Sequence, residues 1–127
     1  MKSDPHVCIA YIVGRLIAGK SIVTLYDYSR SKEIRIESLP EADRLREFNY
    51  VNWSYMVNPA AITRFNYACT GGESLEIRIK GNTFIGYIRE TSAHFLGNVR
   101  GDSIYLYDQK AEAHFNYRIT GSEVKQQ

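Results

Sequence analysis

Tyr11–Ile36, YIVGRLIAGKSIVTLYDYSRSKEIRI, returns later in the chain as His94–Ile119, HFLGNVRGDSIYLYDQKAEAHFNYRI. With short gaps, Gly14/Gly97, Gly19/Gly101, Ser21/Ser103 and Ile22/Ile104 are identical pairs, as are Leu25-Tyr26-Asp27 with Leu106-Tyr107-Asp108 and Arg35-Ile36 with Arg118-Ile119. The second copy reads as strand, glycine turn, strand. The first copy is therefore expected to do the same, giving an internal hairpin repeat over 11–36 and 94–119.

Working outward, period-2 alternation dominates. Ile34 and Ile36 alternate with Glu33, Arg35 and Glu37; Leu75, Ile77 and Ile79 with Glu76, Arg78 and Lys80; Phe115, Tyr117 and Ile119 with His114, Asn116 and Arg118. Each run has one apolar and one polar face, the mark of an antiparallel sheet with one side in water. Gly81-Asn82 and Gly101-Asp102 lie between such runs and are hairpin turns by composition. Gly19-Lys20 holds the matching place in the first copy. The strands expected are His6–Ile17, Ser21–Tyr28, Lys32–Glu37, Tyr50–Val57, Ile62–Cys69, Ser74–Lys80, Thr83–Glu90, His94–Arg100, Ser103–Tyr107 and Ala113–Ile119. Ser38 and Glu41 form a capping-box pattern before Leu39, Ala42, Leu45 and Phe48, which predicts a short helix near 39–48. The expected fold is mainly β: an antiparallel meander forming a small barrel or two-layer sandwich.

Composition agrees. The 127 residues contain ten Tyr and five Phe against one Trp, with a net charge of +2. Aromatic and β-branched residues suit pleated, half-buried surfaces, and the small charge names no polyanionic partner. The length suits one domain, expected at 1–120, with a polar tail at 121–127. Cys8 and Cys69 form no CxxC, and no apolar run approaches the ~20 residues of a membrane span. A cytoplasmic protein with no membrane partner is expected.

Gly14–Ser21, GRLIAGKS, satisfies the G-x4-G-K-S phosphate-loop pattern. A phosphate loop needs backbone amides curled round the anion and a helix after it. The intervening residues include Leu16 and Ile17, and the following IVTLYDY reads as a strand, so the match is taken as false. Arg100-Gly101-Asp102-Ser103 spells an adhesion tetrapeptide, but Gly-Asp is ordinary turn chemistry. His6, His94 and His114 lack metal-site spacing, and no nucleophile motif is present. No cofactor is implied. Asp27 and Asp108 end matching strands; each is expected to cap its own turn, with a carboxylate pair for acid–base work as the enzymatic alternative.

The aromatics carry the functional expectation. Tyr26, Tyr107, Trp53 and Tyr55, with Arg78 and Arg118 on the polar phase, are the ligand-binding candidates. The reading is a non-enzymatic binding module that receives a small ligand or a protein partner through a Tyr-lined concavity or an edge strand. Edge strands would also allow a homo-oligomer. The alternative is single-stranded nucleic-acid binding, in which bases stack on Tyr and Arg neutralises phosphate.

Overall fold

The computed structural model describes residues 5–19, 21–39, 63–68, 74–89 and 91–123, with the backbone path alone for 63–68. In chain order these form α1 (Pro5–Val13), a π-helical turn (Gly14–Ala18), β1 (Ser21–Asp27), β2 (Lys32–Arg35), a 3-10 turn (Ile36–Ser38), β3 (Thr63–Ala68), β4 (Ser74–Lys80), β5 (Thr83–Ile88), β6 (Ala93–Arg100), β7 (Ser103–Asp108) and β8 (Ala113–Glu123). The strands make one sheet in the order β2-β1-β8-β7-β6-β5-β4-β3, with every neighbouring pair antiparallel. β3 to β8 form a plain meander. The early hairpin β1–β2 then docks on the free side of β8.

Among the described residues the sheet ends at β2 and β3. It is not closed into a barrel, and no second sheet faces it as a sandwich would require. The inner face is covered instead by a helix, which the sequence reading placed elsewhere. His6–Ile17 is not a strand: Pro5–Val13 is α-helical and Gly14–Ala18 continues as a π turn that stops at Gly19, φ 77°. Val7 to Val13 are all buried. A helix apolar on every side has no amphipathic period to read, so an apolar run of this length fits strand and helix equally well. The helix signal lies just outside it: Pro5 stands at the first helical position, where its missing N–H costs nothing, directly after an aspartate of N-cap type.

The repeat is therefore half right. Tyr11–Ala18 is helical whereas His94–Arg100 is a strand, so Gly14 and Gly97 are not equivalent, and Gly19 ends a helix rather than opening a hairpin. From β1 onward the equivalence holds. Asp27 pairs with Lys32 and Asp108 with Ala113 across four-residue connections. This register equates Ile34 with Phe115 and Ile36 with Tyr117; Arg35-Ile36 does not align with Arg118-Ile119. Against β8 the pairing is irregular around Thr24, with one residue skipped on each strand between Ile22↔Ser122 and Leu25↔Ile119, and the register is the same on both sides.

The pairing exposes a second repeat, at an offset of twenty residues. Gly81–Arg100 is a two-residue turn, a strand, a four-residue turn and a strand, and Gly101–Thr120 is the same again. Tyr87/Tyr107, Ala93-His94-Phe95/Ala113-His114-Phe115 and Gly81/Gly101 are identical between the copies. At one end of the sheet, Gly81 and Gly101 open the tight turns at φ 62° and 57°, a conformation hairpins of this length require. At the other end, the four-residue turns finish on Ser31, Ser92 and Glu112 at φ 52–56°.

The inner face carries Leu75, Ile77, Ile79, Phe84, Phe95, Ile104, Leu106, Tyr117 and Ile119, all buried. Phe115 is half-buried against the same cluster. Within the first copy, β5 and β6 interlock through rings over glycines: a Cβ on Gly86 would fall 2.2 Å from the Phe95 ring, and one on Gly97 2.6 Å from that of Phe84. α1 approaches closely at its end, where a Cβ on Gly14 would lie 2.9 Å from both Ile104 and Ile22.

The helix expected at 39–48 lies outside the described residues apart from Leu39, which is extended after the 3-10 turn. Ser38 belongs to that turn and donates to the Arg35 carbonyl at 2.7 Å. The strand expected over 50–57 is likewise outside the described residues. β8 runs to Glu123, paired with Ser21, so its backbone continues past Gly121, where a polar tail was expected to begin.

The register gives a direct test. Ile77 is buried on the inner face and Arg78 is exposed on the outer. Ile77→Ala should cost about 2–5 kcal/mol through lost transfer energy and a residual cavity. Arg78→Ala should cost under ~0.5 kcal/mol, as exposed substitutions do. Urea unfolding checks both; the inverse order would mean that the register is slipped by one residue.

Candidate functional site

The sheet alternation that buries the inner residues sets the outer face. Following the pairing across strands, Arg78 stands opposite Ile85, Ile85 opposite Leu96, Leu96 opposite Tyr107, and Tyr107 opposite His114. One step along the strands, Glu76 faces Tyr87 and Tyr87 faces His94. The β4–β6 part of these rows lines an open depression of about 620 Å³, with Ile85, Leu96, Tyr87, His94 and Arg78 joined by Gln109. Ile85 is 53% exposed and Leu96 37%. Two large aliphatics paired in water, ringed by aromatics, are the kind of exposed apolar patch that carries interactions.

The aromatic geometry recurs with the twenty-residue repeat. The rings of Tyr87 and His94 lie 4.6 Å apart at 46°, and those of Tyr107 and His114 4.7 Å apart at 46°. Tyr105 Oη also hydrogen-bonds His114 Nδ1 at 2.7 Å. Arg78 and Glu76 approach at 3.6 Å, so the two charges at the edge of the depression offset each other.

Of the binding candidates read from the sequence, Arg78 and Tyr107 share the first of these rows. Tyr26 and Arg118 form a separate cross-strand pair on β1 and β8, with Tyr28 edge-on to Tyr26 at 5.0 Å. All four stand on the outer face. α1 fills the inner one, so these tyrosines line no interior concavity. Trp53 and Tyr55 lie outside the described residues. Ile85, Leu96, Tyr87, His94 and His114 went unread as a surface; the signal that marks them is the identity of Tyr87 with Tyr107 and of His94 with His114 twenty residues apart.

The two aspartates are turn caps. Asp27 Oδ1 accepts the Ser29 and Arg30 amides at 2.9 and 3.3 Å, and Asp108 Oδ1 accepts those of Lys110 and Ala111 at 2.9 and 3.0 Å. Both are buried. Asp108 has a further partner that the sequence did not suggest: its Oδ2 meets His6 Nε2 at 2.8 Å, tying the first turn of α1 to the β7–β8 turn. The His6 ring stacks on Phe115 at 3.9 Å and 11°. Burial pushes the Asp108 carboxyl up, but the Ala111 amide, His6 and the Lys110 amide together pull it below its ordinary value.

The remaining motifs resolve in local geometry. In GRLIAGKS the order is helix, π turn, left-handed glycine and strand, the reverse of a phosphate loop, and Arg15 within it is 1% exposed. Burial lowers the Arg15 guanidinium from its usual value, opposed by Tyr11. Gly101-Asp102 is a hairpin turn whose Asp102 carbonyl accepts the Ile119 amide at 2.8 Å. His94 and His114 sit on β6 and β8 with β7 between them. Among the described residues no three His, Cys, Asp or Glu side chains group as metal ligands, and no helix is long and apolar enough to cross a membrane.

Comparison of the chain with protein-family models, curated proteins and solved structures finds no match.

The Asp108 cap makes an acid-side prediction. A carboxyl held below its unfolded value stabilises the fold above that value, near 3.9, and loses the contribution as pH falls through the folded one. Asp108→Asn keeps the shape and removes the charge. Its deficit in urea midpoint against the parent should be largest near neutrality and shrink below about pH 4.

Proposed function

We propose that the protein is a non-enzymatic binding module whose outer sheet face receives an apolar group of a protein partner or small ligand. The observation that carries this reading is the exposed Ile85–Leu96 pair in its depression, lined also by Tyr87 and His94, with Tyr107 the cross-strand neighbour of Leu96. The depression falls within the ~300–1,000 Å³ typical of ligand sites and has their character, mostly apolar with a few polar groups at the rim. Its openness suits a ligand that lays one face down. The carboxylates that would serve an enzyme are engaged in capping turns, which leaves the outer face as the better-supported feature.

A second reading, single-stranded nucleic-acid binding, is favoured by the Tyr26–Arg118 pair beside Tyr28. Stacking rings next to a guanidinium are the elements such surfaces use. Its site would be the β1–β8 half of the face, away from the Ile85–Leu96 depression. Binding of a thymidine oligomer that weakens steeply with salt and is lost in Arg118→Ala would support it.

The leading reading is tested with 8-anilinonaphthalene-1-sulfonate, an apolar aromatic probe whose emission rises on burial. The folded protein should enhance its emission, and Leu96→Asp, an exposed change that leaves the core intact, should remove most of the enhancement. No enhancement, or an equal one in Leu96→Asp, would contradict a binding surface at this place.

A further inference from the structure

We infer that the corner of the outer face at Arg100, Ser103 and Arg118 binds the dianion of a phosphomonoester carried by a small molecule. This corner lies at the Gly101 end of the sheet, apart from the Ile85–Leu96 depression, so the inference goes beyond the reading that rests on that depression.

Register builds the site. Arg100 on β6 pairs with Ser103 on β7, and Ser103 pairs with Arg118 on β8. All three are exposed. The arginines therefore stand on either side of one short hydroxyl side chain, their backbones two strand spacings apart, or roughly 10 Å. A small residue between two long ones leaves room for a tetrahedral oxyanion above Ser103. Both guanidinium forks reach such a centre with paired N–H donors.

The charge at this corner is uncompensated. Of the strand arginines whose side chains are described, Arg35 holds Glu37 at 2.7 Å and Arg78 approaches Glu76 at 3.6 Å. Arg100 and Arg118 make no ion pair with any described residue. From Thr83 on β5 to Thr120 on β8, no outward position holds Asp, Glu or Lys. The nearby carboxylates are Asp102 of the turn, which has an interaction of its own, and Glu33, which faces Tyr26 on the far side of β1. Two like charges flanking one residue contribute nothing to folding, and self-repulsion opposes it. An anion between them removes that cost.

The charge count names the anion. Two guanidinium groups aimed at one centre match a terminal phosphate, which carries about −1.5 to −2 near neutrality. A nucleic-acid strand presents one charge per phosphate and needs a basic track that continues from one to the next. Here the adjoining row is Asn98, Tyr105 and Asn116, which is neutral. Tyr26 stands beyond Arg118 in the row of the arginines, with Tyr28 edge-on to it, so a ring lies beside the phosphate for the remainder of a nucleotide.

Heteronuclear NMR titration at constant ionic strength tests this with adenosine 5′-monophosphate, ribose 5-phosphate and sulfate. Both phosphates should shift the amides of Arg100, Ser103 and Arg118 saturably. Arg100→Gln and Arg118→Gln, at exposed positions, should each weaken binding about threefold or more, as loss of one exposed ion pair does. Arg89→Gln removes the same charge from the exposed turn after β5 and should change nothing. A phosphomonoester takes up its second proton near pH 6, so ribose 5-phosphate should bind about fivefold or more weakly at pH 5 than at pH 7.5. The ionisable groups around the site are Arg100, Arg118, Tyr26, Asp102 and Glu33, with His114 four residues from Arg118 along β8. Sulfate stays divalent over this range and reports on them: its affinity should hold constant. Tighter binding of the nucleotide than of ribose 5-phosphate supports the site with a nucleotide as its source, and equal binding supports it with the phosphate alone recognised. No saturable shift, an equal loss in Arg89→Gln, or an equal pH dependence for sulfate would overturn the inference. So would a thymidine oligomer without a terminal phosphate that binds through both arginines more tightly than the nucleotide. Leu96→Asp should leave phosphate binding unchanged, so failure here is distinct from failure of the binding-module reading.

Discussion

The complete withdrawal of Val7–Val13 from water is the constraint on which the rest depends. A sheet of half-apolar strands has an inner face that must be covered, and here a helix rather than a second sheet covers it. Large apolar side chains fully buried are worth about 1.5–3 kcal/mol each, so this short helix holds a large share of the driving force. Among the described residues, the outer face of the sheet is the side left open to water.

The same constraint explains how the helix is fastened. Its far end comes within van der Waals contact of β1 and β7 at Gly14, and its first turn is held by the His6–Asp108 contact and the His6–Phe115 stack. Asp108 thus joins two layers: it caps the β7–β8 turn and anchors the helix. Asp27, its counterpart in the β1–β2 hairpin, caps the turn in the same way and has Arg30 beside it at 3.8 Å. The repeated aspartate is thus a structural device used twice, with His6 of the helix as the added partner of Asp108 and Arg30 of its own turn as that of Asp27.

Strands whose two faces differ were legible in the sequence. Ile34, Leu75, Ile77, Tyr117 and Ile119 are buried as their alternation requires, and the Gly81 and Gly101 turns fall where composition puts them. The helix was not legible, because a segment buried all round shows no period, and its resemblance to a strand carried the hairpin repeat too far toward the N-terminus. The twenty-residue repeat was present in the letters but weak, since Gly86 and Gly97 replace large residues where Phe95 and Phe84 lie over the backbone. Pairing made it visible, and with it the Tyr/His surface. Tyr107 and Arg78 had been singled out for chemistry; their common row with Ile85 and Leu96 is a product of register, which no single strand reveals.

Hydrogen exchange of the α1 amides tests the central claim most directly. If the enclosed helix is the element around which the sheet is built, the amides of Ile9 to Val13 should exchange only through global unfolding, at the same free energy as the slowest amides of β7 and β8. The first-turn amides, nearer the His6 anchor, should open at lower cost. Fast exchange across the whole of α1, with β6 to β8 still protected, would contradict the account by showing a sheet that holds its fold without the helix.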